Sequence, residues 1–248
     1  MAMQVTEIPK PSHREAMELA ATEYGCFFDL IRTFTDEDWT RQTDCALWDA
    51  RALVAHVAGA ANGCASIRVM MRQQRIAGRR AKEKGTDSID EWTGLHVEER
   101  QGRSPAELIT EIESVFPRAL KGRKRMPAPV RGIPYGFETP IDRRESLGYL
   151  NDTIFTRDVW MHRVDLTRAT GRDMVLTREH DGRLIAGVVK EWAMLHGNPF
   201  RLILDGPAGG WYAQGEDGEE LRLDAVEFCR TVAGRSRGSG LLAQQVPF

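Results

Sequence analysis

Apolar residues recur every three or four positions near the start of the chain. Ala16, Leu19, Ala20, Cys26, Phe27, Leu30 and Ile31 share one face, and Ser12 with Glu15 has capping-box spacing, so a helix is predicted from Ser12 to about Arg32. Asp49 is the N-cap expected for a second helix, which runs through the Ala-, Leu-, Val- and Met-rich stretch ARALVAHVAGAANGCASIRVMMRQQR to about Gly78. From Gly78 to Arg103 the periodicity fades. Arg79, Arg80, Lys82 and Lys84 precede Asp87, Asp90 and Glu91, a mixed-sign block that reads as a solvated connection. Ser104, Pro105 and Glu107 supply the N-cap, first turn and capping partner of a third helix with Leu108, Ile109, Ile112, Val115 and Phe116 on its stripe. Four prolines and three glycines between Lys121 and Pro140 predict a long connection. A fourth helix follows from about Arg143 to Ala169, with Gly171 placed to end it.

Four long helices joined by unequal connections fit a four-helix bundle. After residue 172 the pattern changes. A helix from about Thr177 to His196 is followed by FRLILDG, GGWYAQG and EELRLD, short strand-like runs bounded by Gly and Asp, and by a last helix, AVEFCRTVAGR. The expected architecture is therefore mainly α, with a helical bundle over residues 1–172 and a small α+β domain over residues 173–248.

Composition narrows the class. Thirty-four Lys and Arg against 36 Asp and Glu give a net charge of −2, which provides no overall field for nucleic acid or an anionic membrane, so neither partner is expected. No run of about 18 apolar residues exists and the first residues lack a secretory layout, so a cytoplasmic protein is expected, monomeric or homodimeric. Cys26, Cys45, Cys64 and Cys229 form no CxxC pair and read as reduced, mostly buried side chains; Cys64, two turns after His56, is the one nearest to any chemistry. His13, His96, His180 and His196 read as surface or capping residues. Trp39 and Trp48 read as packing at the bundle end, and Trp211 as a strand core residue.

The chemistry lies in the fourth helix. Asp158 and His162 are four residues apart, so both project from one helical face and can share one ion. The same spacing also describes a solvated pair, but Ile154, Phe155, Val159, Trp160, Met161, Val164 and Leu166 make the segment apolar nearly all round. Buried charge needs a partner. His56 in the second helix, flanked by Ala52, Leu53, Gly59, Ala60 and Gly63, has room around its imidazole and can face His162 across a bundle core, or can merely pack there. Two imidazoles and a carboxylate hold a catalytic divalent metal with a position left open, zinc being favoured, with nickel or iron also compatible. Asp165 can orient an imidazole from outside the ligand set or pair at the surface with Arg163 or Arg168.

WDARALVAHVAGA (Trp48–Ala60) and DVWMHRVDLTRATG (Asp158–Gly171) resemble the two hallmark segments of the mycothiol-dependent maleylpyruvate isomerase family, within the DinB-like metal-binding bundle superfamily. The end, LDAVEFCRTVAGRSRGSGLLAQQVPF, is similar to that family's C-terminal module. The resemblance implies a DinB-like four-helix bundle with a small C-terminal α+β domain. It also implies that His56, Asp158 and His162 bind Zn2+, and that mycothiol, a small thiol, takes the open position. It implies a catalytic role for Arg235, matching a Gly-Arg pair in the family. One departure stands out: the family carries Glu where this chain has the shorter Asp158. The implied chemistry is thiolate addition to a small electrophile, giving isomerisation if the thiol is expelled and S-transfer if it stays. Two other readings remain open: a DinB-like metalloenzyme, such as a hydrolase, without a thiol cofactor, and a non-catalytic module binding a small ligand.

Overall fold

The helical period of the first thirty residues is realised as α1 (His13–Ile31), and Asp49 caps α2 (Ala50–Ala65) by accepting the Ala52 amide at 2.7 Å. The computed structural model describes residues 2–137 and 143–248. The chain then differs from the single second helix read from sequence. It breaks at Ser66, whose φ of −148° and ψ of 116° are extended, and restarts as α3 (Ile67–Lys84). The break separates two environments: α2 is buried over nearly its whole length, whereas α3 buries only Gln73, Ala77 and Ala81. An Ala-rich helix fully surrounded by protein cannot continue into an Arg-rich one without changing direction.

The segment read as a solvated connection instead holds α4 (Ser88–Glu98), capped by Asp87 and burying Trp92, Leu95 and His96. Three residues at i, i+3 and i+4 are a narrow stripe, easily hidden among charges, and packing against α2 and α3 is what makes it a helix. α5 (Pro105–Lys124) has the expected capping box, with Ser104 and Glu107 exchanging hydrogen bonds. Short elements follow: α6 (Ala128–Arg131), β2 (Pro134–Phe137) and β3 (Arg143–Ser146), the strands pairing with each other. The long connection read over Lys121–Pro140 is thus partly structured, its last three residues lying outside the described ones. The fourth helix begins later than its pattern suggested, with α7 (Leu147–Tyr149), a wide π-helical turn (Leu150–Ile154) and α8 (Phe155–Thr170). Gly171 ends it at φ +68°, the left-handed conformation expected of that position.

The chain divides into two units. One comprises residues 13–138 and 144–173, the other residues 1–12, 139–143 and 174–248. In the first, α1, α2, α5 and α8 enclose a core of Phe27, Ile31, Leu53, Val54, Val57, Leu108, Ile112, Val115 and Leu166. Arg163 and Glu23 form a buried ion pair at 2.8 Å in this bundle. In the second unit, β4 (Phe200–Asp205) pairs antiparallel with β5 (Gly210–Gln214) and parallel with β6 (Glu219–Asp224). α9 (Arg183–His196) and α10 (Ala225–Val232) supply Trp192 and Phe228, which meet edge to face with ring centres 5.3 Å apart. Residues 1–12, read from sequence as part of the bundle, build with this unit: β1 (Met3–Gln4) adds to the free edge of β5. A two-residue strand has no pattern of its own, and a sheet edge recruits it through backbone bonds. Trp211 is 59% exposed, on the face of β5 opposite the buried Tyr212, so it is not the core residue its strand suggested.

Candidate metal centre

The wide turn at Leu150–Ile154 and the helix it feeds set Asp158 and His162 one turn apart on α8, toward α2. Such π-helical turns occur frequently beside functional sites. Asp158 lies between two imidazoles, with Oδ2 3.5 Å from His56 Nε2 and Oδ1 3.3 Å from His162 Nε2. Donors about 2.1 Å from a tetrahedral ion stand about 3.4 Å apart. The two Asp158 distances fall around that value, and one donor atom from each of His56, Asp158 and His162 lies within 4.8 Å of the others. The shorter Asp158 side chain therefore reaches both imidazoles.

Burial and charge suit the same purpose. His56 is 3% exposed and its Nε2 makes no hydrogen bond, whereas the Asp158 side chain keeps 23% of its surface open. A buried, unsatisfied ring nitrogen is costly unless something binds it. Burial holds the His56 imidazole below its usual pKa despite the nearby Asp158, which keeps it neutral and able to donate a lone pair. For Asp158, burial would raise the pKa, but the His162 and His56 imidazoles outweigh it and hold the carboxyl well below the usual range. Burial likewise works against a charged His162, yet the Asp158 charge, supported by Asp165 and Cys45, lifts its pKa well above the ordinary value. His56, Asp158 and His162 would hold a divalent ion in the place that the His162 proton occupies between the same groups. The residues present fit a divalent metal.

Asp165 is fully buried, and its Oδ2 accepts from His162 Nδ1 at 3.1 Å and from Cys45 Sγ at 3.5 Å. Of the two roles read for it, the structure places it behind His162, while Arg163 pairs with Glu23 and Arg168 with Asp44. A carboxylate accepting from Nδ1 leaves Nε2 as the free donor, the arrangement that supports most metal-binding histidines. Cys45 sits half-buried on the loop that leads to α2. Gln42 and Thr43 side chains bond to the Trp48 carbonyl at 3.1 and 2.7 Å, closing that loop.

Sequence reading passed over two neighbours. Trp48 stacks on the His56 ring at 4.9 Å and 25°, so it walls the site instead of only packing the bundle end. Its signal was its place immediately before the cap of the helix carrying His56. His96, read as a surface residue, is 1% exposed on α4, with Nδ1 3.3 Å from His56 Nδ1. Its signal was the stripe it shares with Trp92 and Leu95. His180 is also buried, in the other unit. Cys64 carries no comparable chemistry, since burial pushes its thiol up to about 11. Arg235 belongs to the C-terminal unit, half-buried just after α10, where its amide bonds to the Arg230 carbonyl at 2.8 Å.

Comparison with known proteins adds a family. The one described as Mycothiol maleylpyruvate isomerase N-terminal domain matches residues 22–167, which include His56, Asp158 and His162 but not Arg235. Among solved structures, the chain is similar to the crystal structure of the mycothiol-dependent maleylpyruvate isomerase at 18% identity and a TM-score of 0.57, over 94% of this chain and 92% of that one. It is similar at 17% identity and the same TM-score and coverage to a histidine-to-alanine mutant of the mycothiol-dependent maleylpyruvate isomerase. At these identities the likeness is one of fold. No curated protein matches the sequence.

Proposed function

Since the chain belongs to the mycothiol maleylpyruvate isomerase N-terminal domain family, we propose that it is a metal- and mycothiol-dependent enzyme acting on a small electrophile. Its reaction is either a cis–trans isomerisation of the maleylpyruvate isomerase type or an S-transfer in which the whole thiol stays attached to the electrophile. The observation that carries this reading is the convergence of two imidazole Nε2 atoms on the Asp158 carboxylate, one of them with no hydrogen bond.

His56, Asp158 and His162 would hold the ion, zinc being favoured by the ligand types. When bound, such an ion draws the proton from a coordinating thiol, whose free pKa of about 8.5 otherwise keeps it mostly protonated near neutrality. The chain's own residues orient and shield. Asp165 holds the Nδ1 proton of His162 and so keeps Nε2 turned to Asp158. Trp48 covers one face of the His56 ring and keeps water from it. The partly open side of Asp158 is the side from which a thiol and substrate approach. We assign Arg235 to a substrate carboxylate, which its guanidinium is shaped to hold through two parallel hydrogen bonds. Among the described residues no helix is long and apolar enough to cross a membrane. We place the chemistry in the cytoplasm, where the thiols of the chain's four cysteines stay reduced.

Elemental analysis of the wild type beside His56→Ala and His162→Ala, each checked for retained helicity, tests the centre. The expected result is about one zinc per chain, lost in both variants. Mycothiol should then raise the thermal stability of the zinc-loaded protein and leave the metal-free protein unchanged. Zinc binding without a thiol effect would favour a metalloenzyme that works without the thiol. Neither effect would leave a ligand-binding module.

A further inference from the structure

We propose that His96 is a positioning residue for this centre: its Nδ1 accepts the Nδ1 proton of His56, fixing His56 in the tautomer whose Nε2 lone pair faces Asp158. The proposal rests on the metal reading above and adds a residue on a separate helix to it.

The two Nδ1 atoms are 3.3 Å apart and both rings are buried, so between two neutral imidazoles one nitrogen donates and the other accepts. If His96 were the donor, the His56 proton would sit on Nε2, facing Asp158 at 3.5 Å and blocking the lone pair a metal needs. If His96 accepts, His56 Nε2 is free and aimed at the Asp158 carboxylate. His162 is set in the same way by a different partner, Asp165 at 3.1 Å from its Nδ1. Each imidazole of the centre then has its outer nitrogen occupied and its inner nitrogen turned to Asp158.

The backbone is built to allow the contact. A Cβ on Gly59 would lie 2.4 Å from the His96 Cβ and 2.5 Å from its Cγ, so only glycine lets α4 bring this ring against α2. The approach is then held from three sides. Gln73 donates to the Gly59 carbonyl at 3.1 Å and accepts from Trp92 Nε1 at 3.4 Å, tying α3 and α4 to α2. Arg100 donates to the His96 carbonyl at 2.9 Å and pairs with Glu111 of α5 at 2.8 Å. The Trp92 ring stands edge-on to His96 with centres 5.3 Å apart. These contacts leave the His96 ring little freedom to turn away from His56.

The test compares zinc affinity, by competition with a chromophoric chelator, and the visible spectrum of the cobalt-loaded protein, in wild type, His96→Leu and His96→Asn. Leu fills similar volume without an acceptor, whereas the Asn amide oxygen can stand where Nδ1 was. Loss of an outer partner of a metal-binding histidine weakens affinity about 10- to 100-fold. We expect that loss and an altered cobalt spectrum for Leu, with Asn restoring affinity to within about threefold of wild type. Wild-type affinity and spectrum in His96→Leu would overturn the proposal, as would an equal loss in a folded Asn variant, which would show that ring packing alone matters. A measurement independent of variants is the 1H–15N correlation spectrum of the zinc-loaded wild type. A His96 ring protonated on Nε2 and bare on Nδ1 is expected, and a proton on His96 Nδ1 would overturn the proposal. Failure of the wild type to take up zinc at all would instead remove the metal reading on which the proposal rests.

Discussion

Asp165 offers the most direct measure of how the bundle supports its centre. It is fully buried and accepts from His162 Nδ1 at 3.1 Å, a bond that gains strength from the carboxylate charge. Asp165→Asn keeps an acceptor in place but removes the charge. Charge-assisted hydrogen bonds are about twice as strong as neutral ones, so roughly half of a contribution of about 2 kcal/mol is lost, or about fivefold in zinc affinity. Asp165→Ala removes the acceptor altogether, leaves the imidazole free to rotate, and should cost about 30- to 100-fold, or 2 to 2.7 kcal/mol. The loss in Asn is the diagnostic, because a contact that served packing alone would leave the nearly isosteric Asn at the wild-type value and penalise only the truncation. Chelator competition on proteins checked for unchanged helicity reads both values, with chemical denaturation of the metal-free proteins run alongside. A folded Asp165→Ala protein that binds zinc within twofold of wild type would refute the argument, and so would a loss larger for Asn than for Ala.

Other consequences follow from the same geometry. His162 is held protonated above its ordinary pKa by Asp158, so zinc uptake near neutrality should release about one proton per ion, and affinity should fall about tenfold per pH unit below the raised value; calorimetry in buffers of different ionisation enthalpy reads both. In the metal-free protein the lowered Asp158 pKa contributes stability that is present above 3.8 and lost as pH falls through its folded value. The raised His162 pKa contributes stability that is complete below 6.5 and lost as pH rises through its folded value. The lowered His56 and His96 pKa values work the other way, adding stability as pH rises through 6.5, so urea midpoints of the metal-free protein should peak near neutrality and decline on both sides, and a flat profile would contradict the pairing. Arg123 is buried and donates from Nε to the Asn151 carbonyl in the wide turn at 3.1 Å, and also to Thr156 at 2.7 Å and Tyr24 at 3.2 Å. Arg123→Met removes these buried donations and should destabilise by about 2 kcal/mol in urea unfolding. Arg235→Lys should raise KM for a carboxylate-bearing substrate about tenfold or more while zinc affinity stays at the wild-type value, since a lysine offers no paired fork.

Much of the fold was legible because its signals are local. Asp49, the Ser104–Glu107 box and Gly171 mark helix ends through the chain's own backbone bonds, and each acts in the structure as its position suggested. Asp158 and His162 were legible as a pair for the same reason, since a four-residue spacing fixes a shared face wherever the helix packs. The break at Ser66 was not, because both flanking segments favour helix and only the limits of the bundle core decide where one stops. α4 was hidden because its three buried residues sit among charges, and a stripe that narrow is helical only when α2 and α3 are there to cover it.

The sequence by itself determined that the chain is mainly helical with a small α+β unit after the bundle, and it singled out Asp158 and His162 as a pair on one helical face with His56 as a candidate third ligand. Only the tertiary structure decided what surrounds them. Trp48 and His96 reach the His56 ring from a loop and a separate helix, approaches that no spacing along the chain encodes, whereas Asp165, three residues beyond His162 on α8, was legible as a partner of that imidazole. The physical reason is that residues on one helix are related by the helix's own geometry, whereas the ring that meets His56 Nδ1 comes from a helix forty residues away. His96 meets His56 only when the helices pack, at a distance that Gly59 permits and any larger residue would forbid.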